Sequence, residues 1–340
     1  MSKWYKEDLK GDGIAVSTRV RLARNVRKVP FPKKMNDTQR REMLQTVREL
    51  CDGKELAGIG ALKYIDMQAV PADEVVAMVE RHIISPDFAK SGLPRGLVLS
   101  PDESVSVMLL EEDHIRIQVI LPGLQTEKAY ELAEQVENLF AGGLTLAFDP
   151  KLGYLTECPT NLGTGLRASV MLHLPILESA GALASIADSV AKIGLTVRGT
   201  YGEGSKSHAA LYQLSNQVTL GISEKAATEN LAAITTQIIE KEKAARAELQ
   251  PKTVEDIVYR AVGLLKYARK LSSEEMMQLM SRVKLGVSIG IITGIAPALP
   301  LELIVETQPG TLQRLHGHMT PEERDICRAD VIRERMAAVE

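Results

Sequence analysis

Five arginines stand at strand and loop positions that an apolar core would disfavour: Arg19, Arg21, Arg116, Arg167 and Arg198. A guanidinium group is planar, stays charged and matches the geometry of phosphate oxygens. If they converge, five such groups would bind a polyphosphate without a Walker loop. The sequence indeed has no Walker loop, no dinucleotide-binding GxGxxG motif and no HRD or DFG motif. Solvated surface ion pairs are the alternative explanation for each arginine taken alone.

Two further sets of residues could move a proton or bind a cation. Glu111, Glu112 and Asp113 occupy a turn between two predicted strands, and such a turn is either a solvated loop or the place of a carboxylate base. Cys158 precedes a proline and a loop of backbone donors near Arg167, surroundings that favour a reactive thiolate. A lone cysteine is otherwise a small buried apolar residue, and spacing alone leaves both alternatives open.

The elements that would position these residues follow an α+β order. Alternation predicts strands at residues 96–100, 104–110, 114–120, 167–174, 195–198 and 209–219, and helical periodicity predicts helices at 37–52, 72–84, 127–141, 177–193 and 223–248. From Pro251 onward the pattern is helical, with capping signals at Ser272 and Thr320. We therefore predict one domain at residues 1–250 and a small all-helical domain at residues 251–340.

Composition excludes several classes of protein. With 340 residues, 45% hydrophobic and 25% charged, the chain is expected to be globular. A net charge of −3 and 4% aromatic residues argue against nucleic-acid binding. Three scattered cysteines predict neither disulfides nor a zinc site, and no metal-ligating set is evident. The absence of a signal peptide or a membrane-spanning stretch predicts a cytoplasmic protein without membrane contact.

Four blocks of the sequence resemble the phosphagen (guanidino) kinases, in the order that this family has them. They are STRVR at residues 17–21, EEDHIR at 111–116, CPTNLGTGLRASV at 158–170 and RGTYGE at 198–203. The resemblance implies an α+β catalytic domain with an antiparallel sheet flanked by helices, and the use of ATP with Mg²⁺.

The resemblance also implies roles for individual residues. It implies ATP binding by Ser17, Thr18, Arg19, Val20, Arg21, His82, Arg116, Arg167, Ala168, Ser169, Val170, Met171, Arg198, Gly199, Thr200, Tyr201, Gly202 and Glu203. It implies that Glu112 and Glu203 are the carboxylates on the substrate side, and we expect Glu112 to be the base, with Glu203 or Glu111 as the second acidic contact. A guanidinium offers no lone pair while it is protonated, so a carboxylate must accept its proton. Cys158 would be a thiolate that tunes charge beside the substrate.

Two departures from the family narrow the expected substrate. Kinases of small guanidines carry an all-helical domain before the STRVR block, which here begins at residue 17. The helical extension contains RDICRA, which is similar to the RDxxRA motif of bacterial protein arginine kinases. The resemblance implies an arginine side chain in a protein as phosphoryl acceptor. It also implies an allosteric phosphoarginine site at Arg324, Asp325, Ile326, Cys327, Arg328 and Ala329.

Three hypotheses stay open at this point. The chain is a protein arginine kinase, a kinase of a free guanidino compound such as arginine, or a non-catalytic reader of phosphoarginine. Intact Glu112, Cys158 and the five arginines favour the first. The resemblance further implies an activator protein, Clp-type protease machinery in stress response and protein quality control, and a homodimer formed through the helical domain.

Overall fold

One antiparallel sheet of eight strands lies within the residues that the computed structural model describes, namely 2–7, 11–200, 207, 209–337 and 339. The strands, including those of two small ribbons, are β1 (Ala15–Arg24), β2 (Glu55–Leu56), β3 (Gly60–Ala61), β4 (Lys63–Asp66), β5 (Gly96–Leu99), β6 (Val105–Leu109), β7 (Ile115–Pro122), β8 (Phe148–Asp149), β9 (Gly153–Tyr154), β10 (Leu166–His173), β11 (Leu195–Gly199) and β12 (Leu211–Asn216). Their order across the sheet is β11-β12-β10-β1-β7-β6-β5-β4.

The helices flank this sheet and then continue alone to the end of the described chain. They are α1 (Asp37–Cys51), α2 (Ala72–Glu80), α3 (Pro86–Lys90), α4 (Thr126–Ala141), α5 (Pro175–Ser179), α6 (Leu183–Ala191), α7 (Glu224–Ala247), α8 (Pro251–Tyr267), α9 (Ser273–Ser288), α10 (Leu299–Glu306), α11 (Pro309–His316) and α12 (Pro321–Arg335). The predicted α+β class, with helices flanking an antiparallel sheet and a helical C-terminal part, is confirmed. Among the described helices, none has the length and apolar character to cross a bilayer.

Local signals explain where several helices begin and end. Ser272 accepts a hydrogen bond from the Glu275 backbone ahead of α9, and Thr320 forms a reciprocal capping box with Glu323 ahead of α12. The prediction of one helix at 177–193 is wrong. Gly181 adopts a φ of +68° after α5, a left-handed conformation that interrupts the helix until α6 begins.

The main core lies on one face of the sheet. Val20 and Leu22 of β1, with Ala168 and Val170 of β10, are fully buried and pack against α4 and α7. Successive side chains of a strand point to opposite faces. The residues between them therefore project from the other face, where the arginines lie.

The helices α8 to α12 share a second core with the start of the chain. Trp4 and Tyr5 are buried among the apolar side chains of these helices, together with Ile120 of β7. The short helical turn Trp4–Lys6 contacts α10, and α11 packs against α2. These contacts join the helical part to the sheet close to the face that carries the arginines.

Candidate active site

The sheet register brings the five predicted arginines to one face. Arg21 of β1 lies opposite Arg167 of β10, and Ala23, two residues along β1, lies opposite Arg116 of β7. Arg19 lies two residues before Arg21 and therefore shares its face. Arg198 of β11 reaches the same face through the antiparallel pairing of β11, β12 and β10.

This arrangement brings several positive charges close together. Burial, followed by repulsion from the neighbouring Arg19, Arg116 and Arg167, holds the pKa of Arg21 well below its usual value. Burial and the charges of Arg198 and Arg116 lower the pKa of Arg167 in the same direction. The Nε atom of Arg21 is buried without a hydrogen-bond partner in the described part of the chain. A bound polyanion would satisfy this donor and relieve the repulsion.

A cavity of about 160 Å³ is lined by two of the four predicted catalytic residues. Glu112 and Cys158 line it together with the guanidinium-bearing Arg21, Arg116 and Arg167. Burial, followed by the neighbouring Asp113 charge, raises the pKa of Glu112 above its ordinary value. The cavity thus places a carboxylate with increased proton affinity beside three cationic groups and a thiol.

The other carboxylates of the acidic turn are engaged elsewhere. Glu111 forms an ion pair with Arg116 and accepts a hydrogen bond from the Ser85 hydroxyl. Asp113 Oδ1 accepts from Asn25 Nδ2 at 2.6 Å and from the Glu157 backbone nitrogen at 2.8 Å. Of the three carboxylates, Glu112 is therefore the one that faces the cavity.

His114, which follows the turn, is held in one tautomer. Its Nδ1 accepts a hydrogen bond from the Val26 backbone nitrogen at 3.0 Å, so the ring proton resides on Nε2. That proton is donated to the Pro30 carbonyl at 2.7 Å. The ring therefore fixes the base of the acidic turn against the segment that follows β1.

The loop that carries Cys158 depends on close backbone approaches. A Cβ atom on Gly163 would lie 2.2 Å from the Thr219 carbonyl oxygen, and one on Gly165 would lie 2.6 Å from the Ala23 carbonyl oxygen. Both glycines also have positive φ angles, of 109° and 59°. The glycines of the CPTNLGTGLRASV block thus allow the loop to lie against β1 and to present the Cys158 thiol, which lies 3.0 Å from Thr160 Oγ1.

Two adjoining cavities surround His82. One of about 70 Å³ is lined by Ser17, Arg19, Ser169, Met171 and Thr200, among others, and one of about 390 Å³ is lined by Arg19, Arg21 and Ser85, among others. Burial, followed by the charge of Arg19, lowers the pKa of His82 to about 4, so its imidazole is neutral near pH 7. These cavities continue from the arginine cluster and suit the less polar part of a nucleotide.

Some predicted nucleotide-binding side chains lie elsewhere. Val20, Ala168 and Val170 are fully buried in the core on the opposite face of the sheet. Thr18 also points away, because its hydroxyl donates to the Gly123 carbonyl at 2.7 Å. In these strands every second side chain of each block faces the site. The residues between them can contribute only backbone atoms to it.

The RGTYGE block is described only in part. Arg198 is exposed, Gly199 pairs with Tyr212 of β12, and the Thr200 hydroxyl donates to the Leu211 carbonyl at 2.7 Å. Tyr201, Gly202 and Glu203 lie outside the described residues.

Several lining residues were not foreseen from the sequence. Trp4 and Gln213 line the smaller cavity beside His82, and Gln118 and Gln308 line the larger one. Asn161 lines the 160 Å³ cavity that contains Glu112 and Cys158, called the catalytic cavity below. It lies inside the block 158–170, so the family resemblance was a signal that could have found it. Gln308 carries no comparable signal, because its approach depends on the packing of α11 against α2.

Comparisons with known proteins identify the family. Residues 42–245 match the model of the ATP:guanido phosphotransferase C-terminal catalytic domain, and residues 251–340 match that of the protein-arginine kinase McsB C-terminal domain. A curated protein-arginine kinase of Brevibacillus brevis is 45% identical over 100% of this chain and 96% of its own length. One of Halothermothrix orenii is 44% identical over 99% of this chain and 97% of its own length. The chain belongs to the protein-arginine kinase family.

Solved structures agree with this membership of the wider phosphagen kinase family. The duplicated taurocyamine kinase of Schistosoma mansoni, with bound transition-state analogue components, is similar with a TM-score of 0.62 and 30% identity. The match covers 72% of this chain and 36% of that one. A lombricine kinase shares the fold with a TM-score of 0.61 at 24% identity, over 72% of this chain and 70% of its own. The predicted transferase class, a phosphotransferase of the ATP:guanido type, is confirmed.

The RDICRA segment of this protein-arginine kinase family member lies on α12, where its residues differ in exposure. Arg328 is buried and donates to the Thr307 carbonyl at 2.9 Å, to the Leu271 carbonyl at 2.7 Å and to Asp325 Oδ1 at 2.6 Å. Ala329 is buried and Cys327 is half-buried. Arg324 and Asp325 are half-buried and Ile326 is exposed, so these residues form the outward part of the motif.

Proposed function

We propose that the protein transfers the γ-phosphoryl group of ATP to the guanidino group of arginine side chains in other proteins. One observation carries this proposal. A single cavity gathers a carboxylate of raised pKa, Glu112, with the thiol of Cys158 and the guanidinium groups of Arg21, Arg116 and Arg167. This combination suits a reaction in which a polyphosphate is bound and a guanidinium must lose a proton.

The arginine cluster binds the triphosphate in this proposal. Phosphoryl transfer is governed mainly by positioning and by stabilisation of charge on the phosphate oxygens, which guanidinium groups supply. The Nε of Arg21, which has no hydrogen-bond partner among the described residues, supports the assignment, since an anion there satisfies a buried donor. The nucleoside lies toward His82, whose neutral ring and apolar neighbour Met171 tolerate it.

Mg²⁺ would accompany ATP. Mg²⁺ takes oxygen ligands and commonly keeps several waters and substrate phosphates among them. The catalytic cavity presents mainly guanidinium groups and the Glu112 carboxylate, so the phosphates and water would supply most of the ligands. The ion would add positive charge where the γ-phosphoryl oxygens are.

Glu112 accepts a proton from the acceptor arginine in this scheme. Its raised pKa increases its affinity for that proton, and deprotonation gives the guanidino nitrogen the lone pair that attacks phosphorus. Cys158 lies in the same cavity and interacts electrostatically with Arg167. As a thiolate it would stabilise positive charge on the acceptor without forming a covalent intermediate.

The curated relatives support a protein as the acceptor. They are named protein-arginine kinases, and their similarity to this chain covers almost their whole length. The test offers the enzyme ATP, Mg²⁺, an unfolded protein and free arginine together. Mass spectrometry under neutral conditions should find phosphate on guanidino nitrogens of the protein. Phosphate only on free arginine would assign the chain to the kinases of small guanidines, and no transfer at all would leave the reader hypothesis.

We also propose that the outward part of RDICRA binds phosphoarginine on proteins and activates the enzyme. An arginine fork suits the phosphate and a carboxylate suits the guanidinium, and Arg324 and Asp325 provide one of each. Arg324→Ala and Asp325→Ala should weaken phosphoarginine binding and activation together, because coupling between two sites is reciprocal. Unchanged binding in both variants would make the segment an ordinary surface helix.

The remaining proposals concern location and partners. We infer a cytoplasmic enzyme that works with an activator protein and Clp-type protease machinery, and that forms a homodimer through the helical domain. Support for the dimer comes from α8, where Ile257, Leu264 and Tyr267 lie along one helix face and are exposed. Light scattering of the wild type and of Leu264→Glu should give a dimer and a monomer, respectively.

A further inference from the structure

A short segment of the helical domain, residues 307–311, reaches the larger cavity beside His82. Gln308 lines this cavity of about 390 Å³ together with Arg19, Arg21 and His82. The Gln308 side chain is 7% exposed, and its Nε2 donates to the Ile304 carbonyl at 2.9 Å. The helical domain therefore supplies part of the wall of a cavity whose other lining residues come from the sheet, from α2 and α3, and from the turn between these two helices.

Glu80, the last residue of α2, fixes this segment. Its Oε1 accepts a hydrogen bond from the Gly310 backbone nitrogen at 2.7 Å, and its Oε2 accepts from the backbone nitrogen and hydroxyl of Thr311 at 2.6 and 2.8 Å. The carboxylate thus satisfies unpaired donors at the start of α11 and lies at the favourable end of the helix dipole.

Helices α2 and α11 approach each other so closely that residue 310 needs to be glycine. A Cβ atom there would lie 2.4 Å from Val76 Cγ1 and 3.0 Å from Glu80 Oε1. Glu80 ends α2 and also lines the cavity, two residues before His82. The contact therefore joins the His82 turn and the Gln308 wall through one carboxylate.

The RDICRA motif fixes the same segment from the other side. Arg328 of α12 is 1% exposed, and its Nε donates to the carbonyl of Thr307, the residue before Gln308, at 2.9 Å. Thr307 itself is fully buried. The segment is thus held between a buried arginine of the C-terminal motif and a carboxylate at the edge of the cavity.

We propose that Glu80 is a positioning residue for ATP, acting by holding Gln308 against the nucleotide cavity. The inference rests on the proposed function for the identity of the nucleotide. Loss of the carboxylate releases Gly310 and Thr311 while Arg328 still holds Thr307, so the part of the wall that Gln308 provides loosens and ATP binds less tightly. The acceptor side lies in the cavity with Cys158, which shares Arg21 with the larger cavity but is not lined by Gln308 or Glu80, so binding of the protein substrate should be unaffected.

The test compares Glu80→Gln and Gln308→Ala with a matched control, Arg314→Ala. Arg314 of α11 forms an ion pair with Glu74 of α2 at 2.9 Å, bridging the same two helices at the surface. We expect Glu80→Gln to raise the Kd and KM for ATP about tenfold, the order expected for lost hydrogen bonds to a charged group. Arg314→Ala should leave both constants within about twofold of wild type, as exposed ion pairs contribute little.

Two readouts separate positioning from a loss of stability. Trp4 is the single tryptophan and lies 6.4 Å from the His82 ring, so its fluorescence can follow ATP binding without any phosphoryl transfer. At saturating ATP, kcat and the KM for the protein substrate should return to near wild-type values. If Glu80→Gln fails to fold, Gln308→Ala and Thr311→Val, which removes only the hydroxyl bond, carry the same test.

Unchanged ATP affinity in the folded variants would overturn the inference, as would equal losses in kcat and in both KM values. Either result leaves the proposed function intact, because wild-type transfer to protein arginine is measured separately. A wild-type protein that binds ATP by Trp4 fluorescence but transfers no phosphate would refute the proposed function, while the affinity comparison still decides the role of Glu80.

Discussion

Glu112 differs from the adjacent carboxylates in what surrounds it. Glu111 is paired with Arg116 and Ser85, and Asp113 is held by Asn25, whereas Glu112 lines the catalytic cavity. The sequence left the choice of base open, since three acidic residues in one turn have equivalent positions in a linear pattern. Contacts made across the fold distinguish them.

Replacing Glu112 with Gln keeps the shape of the side chain and removes the base. We expect kcat to fall by about 10²–10⁴-fold, the usual contribution of a general base, with little change in ATP affinity. In the wild type, kcat/KM should fall as the pH decreases through the raised pKa of Glu112, because the protonated form accepts no proton.

Steady-state kinetics across pH would check this, with the exposed Glu131→Gln of α4 as control. A Glu112→Gln enzyme that keeps most of its turnover would remove Glu112 from this role.

The three cysteines have different surroundings, which predicts different reactivities. Burial, chiefly, raises the pKa of Cys51 to about 12 and also raises the pKa of Cys327. Cys158 is half-buried, lines the catalytic cavity and lies near Arg167. Iodoacetamide at neutral pH should label Cys158 first, with protection by ATP or by an arginine-containing protein. Equal labelling of all three, measured by peptide mass spectrometry, would contradict this.

At the scale of the elements, a buried ion pair joins β1 to α4. Arg24 donates to Glu137 through Nε at 2.7 Å and through Nη2 at 2.9 Å, and its guanidinium lies 3.5 Å from the centre of the Tyr154 ring. The same guanidinium donates to the carbonyls of Ala23 and Thr164, so it also anchors the loop that carries Cys158.

Removing the partner of this arginine should destabilise the fold. Glu137→Ala leaves the buried Arg24 with only the more distant Glu224 carboxylate, 3.9 Å from its Nη2, and removal of one partner from a buried ion pair costs about 3–5 kcal/mol of unfolding free energy. The control is Asp256→Ala on α8, which breaks an exposed pair with Arg260 and should cost about 1 kcal/mol or less. Urea unfolding measures the loss of unfolding free energy in both variants. Equal losses would show that the buried pair contributes no more to stability than the exposed one.

Most strands and helices could be predicted from periodicity, because a face that packs on a core imposes period 2 or 3.6 on the sequence. The break at Gly181 was missed, since one glycine within an apolar periodic stretch does not by itself end a helix. The strand order was also beyond a linear pattern, because Arg21 and Arg167 become neighbours only when β1 pairs with β10. Family blocks located most of the candidate site, but alternation decided which of their side chains face it.

At the scale of the whole molecule, buried polar groups join the sheet to the helical part. His173 of β10 and Lys284 of α9 are buried, and His173 Nε2 lies 2.8 Å from Ser281 Oγ. Burial, followed by the charge of Arg246, lowers the pKa of Lys284 to about 7. The nearby Asp12 carboxylate acts in the opposite direction and raises this pKa. Burial also holds the pKa of His173 well below its usual value.

This interface should make stability depend on pH. The folded pKa of Lys284 is about 7 and its ordinary value is 10.5, so between these values the unfolded chain binds more protons. The free energy of unfolding should therefore increase as the pH rises from about 7 to 10.5. This increase is lost again as the pH falls back toward 7. Lys284→Met should reduce the difference in unfolding free energy between about pH 7 and about pH 9.5. An unchanged difference would show that Lys284 does not control it.

The central claim is that the arginine-lined cavity phosphorylates arginine side chains of proteins. The most direct measurement uses two versions of one unfolded substrate protein, one with its arginines and one with every arginine replaced by lysine. After incubation with ATP and Mg²⁺, mass spectrometry without acid should find phosphate on the first version alone, attached to guanidino nitrogen and lost on acid treatment. Equal phosphate on both versions, or acid-stable phosphate on serine or tyrosine, would contradict the account.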